Sequence, residues 1–274
     1  MHSKVRLIIC SLAAGVASPA FAADIKTVPA QSTPVNPTGW IITLTGYGEV
    51  GPRYPGSDKF SVFGYPSIDY RRVGEPARWS APDDGIDFAV LDWPNFRAGP
   101  VVRFEGGRYY GSERQLFGLR KVNWSIEPGL FAEYWPANWL RARAEVRYGV
   151  NGYDGFVGDL EVDLVRREGL YTFSIGPRVS FGDSNFARAY FSVTPFEASL
   201  NGLVTPFKAK GGVTSAGVLA SASYAWSEQW TTTVYAGYRR LIGDAADSPI
   251  TRRLGSADQF LVGASLSYSF VFAP

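Results

Sequence analysis

Between Leu140 and Val150 the chain alternates without a break. Leu140, Ala142, Ala144, Val146, Tyr148 and Val150 are apolar, while Arg141, Arg143, Glu145, Arg147 and Gly149 lie between them. Side chains of a β-strand point to opposite faces with a period of two, so this run is a strand with one oily and one charged face. The same count holds for Tyr171, Phe173, Ile175, Pro177, Val179 and Phe181 against Thr172, Ser174, Gly176, Arg178 and Ser180. It holds again for Phe260, Val262, Ala264, Leu266, Tyr268 and Phe270, with Leu261 as the one exception on the polar face. Noisier alternation near 40–50, 60–71, 84–91, 96–105, 122–135, 155–165, 187–194, 213–226 and 230–241 brings the expected number of strands to about twelve. Turn parity fails around 50–85 and 187–212, which leaves ten or fourteen open. No helical periodicity competes.

Runs of this length are too long for an average strand of a soluble sandwich, about 5–6 residues. They suit an outer-membrane barrel, whose strands need roughly 9–11 residues and carry aromatics at both interfaces. Trp40, Trp93, Trp124, Tyr134, Trp135, Trp139, Trp226, Trp230 and Phe270 mark run ends in that way, in a chain that is 15% aromatic. The expected fold is therefore all-β: an antiparallel transmembrane β-barrel of the bacterial outer membrane, its first strand near Trp40 pairing with its last. Asp92-Trp93-Pro94-Asn95, Pro136-Ala137-Asn138 and Ser227-Glu228-Gln229 read as tight turns on one rim. The longer connections 106–121, 195–212 and 243–257 belong to the other.

The first residues bound the chemistry. Lys4 and Arg6 precede an apolar run that ends at Ala20-Phe21-Ala22, the pattern of a secretory signal peptide over residues 1–22. Residues 23–38, with Pro29, Pro34 and Pro37, read as a flexible leader, and 39–274 as the barrel. Cleavage after Ala22 removes the single Cys, the single His and the single Met. The exported chain then has no disulfide, no Cys/His zinc site and no histidine-dependent catalytic triad. Of the 27 Lys and Arg, Lys4 and Arg6 depart, which balances the 25 Asp and Glu. A neutral chain has no basic excess for nucleic acid. After the signal no uncharged apolar stretch reaches the ~18 residues of a membrane helix.

The polar faces carry the candidate functional groups. Arg141, Arg143 and Arg147 face one way on one strand, and Asp159, Glu161 and Asp163 share a face on the next. Arg97, Arg103 and Arg178 extend the set, with Glu105, Glu127 and Glu133. Two readings stand: a solvated wall in which opposite charges avoid cross-strand repulsion, or a selective pathway through a narrow lumen. A twelve-stranded barrel lies between the ~8 strands whose interior side chains fill and the ~16–18 that leave an aqueous channel. Asp83-Asp84 and the Asp159, Glu161 and Asp163 set have the composition of an acid-base or Ca²⁺ site, but the arginines beside them argue against either use. No catalytic residue, metal or cofactor is expected.

Three segments carry a family resemblance. Leu241 to Phe260, LIGDAADSPITRRLGSADQF, followed by a strand ending Tyr-Ser-Phe, resembles the C-terminal signature of the MipA/OmpV outer-membrane family. Tyr54-Pro55-Gly56-Ser57-Asp58 is similar to its N-terminal motif, and Gly176-Pro177-Arg178 with Ala189-Tyr190-Phe191 to its middle. The resemblance, over roughly 39–272, implies an outer-membrane barrel without known catalytic residues. Its namesake is an adapter between a lytic murein transglycosylase, MltA, and a bifunctional penicillin-binding protein, which makes these two enzymes and outer-membrane lipid the expected partners. Other members are linked to uptake or adhesion, so a narrow channel with a charged lumen and a surface adhesin or receptor stand beside the scaffold as alternatives. The oligomeric state has no signal in the sequence.

Overall fold

The computed structural model describes residues 39–111 and 113–272. The expected signal peptide and leader, 1–38, lie outside the described residues. The element order is β1 (Trp40–Pro52), β2 (Phe60–Arg72), β3 (Ile86–Asp87), β4 (Leu91–Trp93), β5 (Phe96–Glu105), β6 (Ser125–Ala137), β7 (Leu140–Gly149), β8 (Gly155–Glu168) and β9 (Tyr171–Gly182), followed by helices α1 (Ser184–Phe191) and α2 (Pro195–Asn201). Next come β10 (Gly212–Ala225), β11 (Trp230–Leu241), α3 (Gly243–Asp247), α4 (Pro249–Leu254) and β12 (Asp258–Phe272). All strands belong to one antiparallel sheet in the order β2-β1-β12-β11-β10-β9-β8-β7-β6-β5-β3, with β4 also on β5. β1 pairs with β12 from Trp40↔Phe272 to Val50↔Val262, the first-to-last pairing expected of a barrel. The result is a nearly closed barrel whose two edges are β2 and the β3–β4 segment.

Alternation sorts the wall as the sequence requires. Leu130, Val146, Leu160, Ile175, Val234 and Val262 are exposed on the outside, where lipid takes the place of water. Aromatics flank this aliphatic band on both sides. Trp40 with Tyr70, Tyr171 with Tyr224, and Trp230 with Tyr268 pack together near the short-turn rim. Phe104 with Trp124, Tyr148 with Phe156, and Tyr238 with Phe260 pack near the other. Rings with an apolar body and, in Trp and Tyr, a polar edge settle at the headgroup level, which is why they mark strand ends.

Two expectations need correction. The alternation at 187–194 is not a strand: Ser184–Phe191 forms α1, and helices are present although none was expected. Asp183 accepts hydrogen bonds from the Asn185 and Phe186 amides and starts the helix. The buried Phe186, Ala187, Tyr190 and Phe191 then lie on one helical face at spacings of three and four. Helices of five to eight residues are too short for that period to outweigh a chance period of two. The expected strand at 84–91 is broken into Ile86–Asp87 and Leu91–Trp93. Between them the Phe88 and Val90 amides still donate to Pro100 and Ala98. A Cβ on Gly99 would sit 1.9 Å from the Phe88 carbonyl oxygen, so glycine there permits the close approach. The total of twelve strands stands, with these two exchanges within it.

Candidate functional site

Along β6 to β9 the charged face of the wall is buried rather than solvated. Arg141 is fully buried and donates to Glu133 at 2.9 Å, Asp163 at 2.9 Å and Asp84 at 2.7 Å. Arg143 reaches Asp87 at 2.7 Å and Glu145 at 2.9 Å. Arg147 binds Glu127 at 3.0 Å, Asp159 at 2.6 Å and also Glu145. Arg103 spans Glu145 at 2.8 Å and Glu161 at 3.2 Å, and Arg178 donates to Asp163 at 2.8 Å. Arg103, Arg141, Arg143, Arg147, Asp159, Glu161, Asp163 and Arg178 thus join one network across β5, β7, β8 and β9, together with Glu127 and Glu133 of β6; Glu105 makes no ion pair among the described residues. Arg97 points into the same interior and makes no ion pair among the described residues; its buried Nε has no acceptor.

Two of the carboxylates, Asp83 and Asp84, come from a segment that period-two reasoning does not reach. The connection from β2 to β3, residues 73–85, folds inward and brings Asp83 to Arg178 at 3.0 Å and to Arg239 at 2.8 Å. Asp84 meets Arg141 from the same segment, and Trp79 lies against the Arg141 guanidinium, 5.3 Å from ring centre to Cζ. Asp83-Asp84 attracts notice in the sequence only as a pair of carboxylates. Its role as a plug follows from folding, since loop residues carry no repeating signal. Oxygens of Asp83, Asp84 and Glu161 come within 4.8 Å of one another. Arg141, Arg143 and Arg178 surround them and already supply positive charge, so the arrangement does not resemble the all-oxygen cage of a bound divalent cation.

Above this network lies a cavity of about 310 Å³, lined by Glu49, Glu105, Arg103, Arg147 and Arg239, with Phe186 and Phe191 among its apolar walls. Over it sits a cap with its own apolar core. Tyr54 from the β1–β2 connection, Leu116, Leu119 and Val122 from β5–β6, Tyr153 from β7–β8, Tyr190 and Phe191 from α1, and Ala245, Ile250 and Leu254 from α3 and α4 pack together. The family-like segments meet here. Gly56 donates its amide to Gln259 Oε1 at 3.0 Å and accepts from the Ser256 amide at 2.9 Å. Its φ of +94° and the 3.1 Å that would separate its Cβ from Thr251 Oγ1 explain glycine at this position. Ser248 Oγ, fully buried, donates to the Phe191 carbonyl at 2.7 Å. Arg108 donates to the carbonyls of Tyr190 and Ala189, at 2.5 and 3.3 Å.

The cap also holds its charges. Glu197 closes a capping box with Thr194 at the start of α2 and accepts from Arg120 Nε at 2.9 Å. Burial opposes its charge, but the hydrogen bonds from Arg120 and Thr194 prevail and lower its pKa from 4.5 to about 2. Burial without a carboxylate partner pushes Arg108 down to about 10. The charged half of Leu241 to Phe270 is therefore part of a cover, with Ser248 and Thr251 buried and Arg252 and Asp247 paired at the surface.

The family model for MltA-interacting protein MipA matches residues 44–270. No curated protein matches. Among solved structures the barrel is similar to a NanC porin, at 8% identity and a TM-score of 0.39 over 83% of this chain and 98% of that one. It is similar also to an outer-membrane channel from Pseudomonas putida F1, at 10% and 0.38 over 86% and 97%. A third is the outer-membrane channel DcaP of Acinetobacter baumannii, at 10% and 0.32 over 85% and 96%.

Proposed function

This chain belongs to the MltA-interacting protein family, and on that premise we propose that it is a non-enzymatic outer-membrane scaffold, tethering a lytic murein transglycosylase and a penicillin-binding murein synthase to the membrane. The observation that supports this reading best is the obstructed interior: bridged arginines and carboxylates fill the lumen, and a packed cap covers one mouth. A barrel blocked in this way offers its rims rather than its bore. Short turns of such barrels face the periplasm and long loops face outward. The rim of Pro94-Asn95, Asn138, Gly169-Leu170 and Ser227-Gln229, with Trp40 and Phe272 beside it, is then the one within reach of cell-wall enzymes.

Pull-down from envelope extracts with detergent-solubilised protein tests the proposal. Retention of a lytic transglycosylase together with a penicillin-binding protein is expected. If neither is retained by a barrel that still migrates as folded on an unheated gel, the scaffold reading fails.

A further inference from the structure

The barrel wall has a seam. β2 and the β3–β4 segment are the two edges of the sheet, and among the described residues no backbone hydrogen bond joins them. They meet through side chains instead: Tyr70 stacks on Phe88 with ring centres 5.5 Å apart, and Tyr65 Oη donates to the Pro82 carbonyl at 3.3 Å. In hydrocarbon each unpaired backbone group costs several kcal/mol, so an open seam is not a neutral feature of a membrane wall. The sequence itself preserves it. Pro66 lies in the middle of β2, has no N–H to give, and belongs on an edge strand.

A cavity of about 60 Å³ lies at this seam. Ile68 and Ile86, which are 58% and 46% exposed on the outer face, line it together with Tyr65, Asp84 and Arg143 of the interior. Its lining thus joins residues of the outer face to residues of the interior. Arg97 lines it as well, and every acid within its reach by register is engaged elsewhere. Its cross-strand neighbours are Asp92 and Glu133; Arg78 holds the first and Arg141 the second. Asp87 is held by Arg143 and Asp84 by Arg141. Asp69, the remaining acid in the lining, accepts from the Tyr70 amide at 2.8 Å. Arg97 is left with a buried Nε and no acceptor among the described residues, and a buried donor without a partner is unfavourable.

An anion arriving from the membrane would supply the acceptor that Arg97 lacks. Guanidinium groups pair with phosphate oxygens through two parallel hydrogen bonds. At about 60 Å³ the cavity exceeds several times the ~10–15 Å³ that one water needs, room for a phosphate group but not for acyl chains. Arg97 is the second residue of β5, just past the Pro94-Asn95 turn, at the depth where the headgroups of one leaflet lie. We propose that the seam is a lateral phospholipid site, in which Arg97 holds the phosphodiester and the chains stay in the bilayer against Ile68 and Ile86.

The test uses the full barrel in a phosphate-free nonionic detergent, titrated with dihexanoyl phosphatidylglycerol, dihexanoylglycerol or inorganic phosphate and read by native mass spectrometry. One phosphatidylglycerol per barrel is expected, with no dihexanoylglycerol and at least tenfold weaker inorganic phosphate. Arg97→Gln should lower phosphatidylglycerol occupancy at least tenfold. Ile68→Trp, which blocks the seam from outside and leaves Arg97 in place, should lower lipid binding while inorganic phosphate is unaffected. Lipid binding unchanged in both variants, inorganic phosphate as tight as the lipid, or no lipid bound to the folded barrel would each overturn the proposal.

Discussion

Arg141 shows at the scale of one residue why the interior is stable although it is made of charge. A charge taken out of water is tolerated only when partners satisfy it, and Arg141 has Glu133, Asp163 and Asp84 on three sides. Replacing it with Leu leaves those carboxylates facing one another, and the expected loss is ~3–5 kcal/mol of unfolding free energy, measured by urea titration in lipid vesicles. Glu168→Gln, which breaks the exposed pair with Arg166, should cost at most ~1 kcal/mol in the same assay. Equal losses would mean that burial is not what gives the network its weight. Much of this was legible from the sequence, because a strand's period of two places Arg141, Arg143 and Arg147 on one face and Asp159, Glu161 and Asp163 on the facing one. The partner of Arg178 and Arg239 was not, since Asp83 lies in a connection with no period to read. Nor was the isolation of Arg97, which depends on its neighbours being engaged by other arginines.

At the scale of elements, the long strands were readable and the cap helices were not. Strands of 10–15 residues repeat their pattern five times or more, whereas α1 has barely two turns and depends on Asp183 for its start. Asp183→Ala should therefore loosen α1 by ~1–2 kcal/mol, seen as faster amide exchange over residues 184–191 with the strands unaffected. The second helix gives a pH signature. A carboxyl whose folded pKa lies below its ordinary value adds stability above 4.5, and that contribution disappears as pH falls toward about 2. Protection factors in 194–201 and 114–120, with the intrinsic pH dependence of amide exchange divided out, should fall on acidification from pH 5 to pH 3. Glu197→Gln should abolish that fall in protection for these two segments, and a pH response that survives the substitution would assign it to other groups. The family-like segments also acquire a shared role here. Far apart in the chain, the stretches around Gly56, Tyr190 and Ser248 close one apolar core over the barrel mouth.

For the molecule as a whole, a barrel of this width has room for a passage, and both the bridged lumen and the cap take that room away. The scaffold reading needs this obstruction, because it assigns function to the rims. The inward segment is tethered mainly by charge, through Asp83 and Asp84, so Asp83→Asn with Asp84→Asn should release it and raise ion permeability. The most direct measurement is single-channel recording of the refolded barrel in planar bilayers, with the double variant as reference. The wild-type chain is expected to insert without discrete conductance steps, while the variant gives them. Stable steps of equal size from both would contradict a closed lumen and identify the protein as a channel.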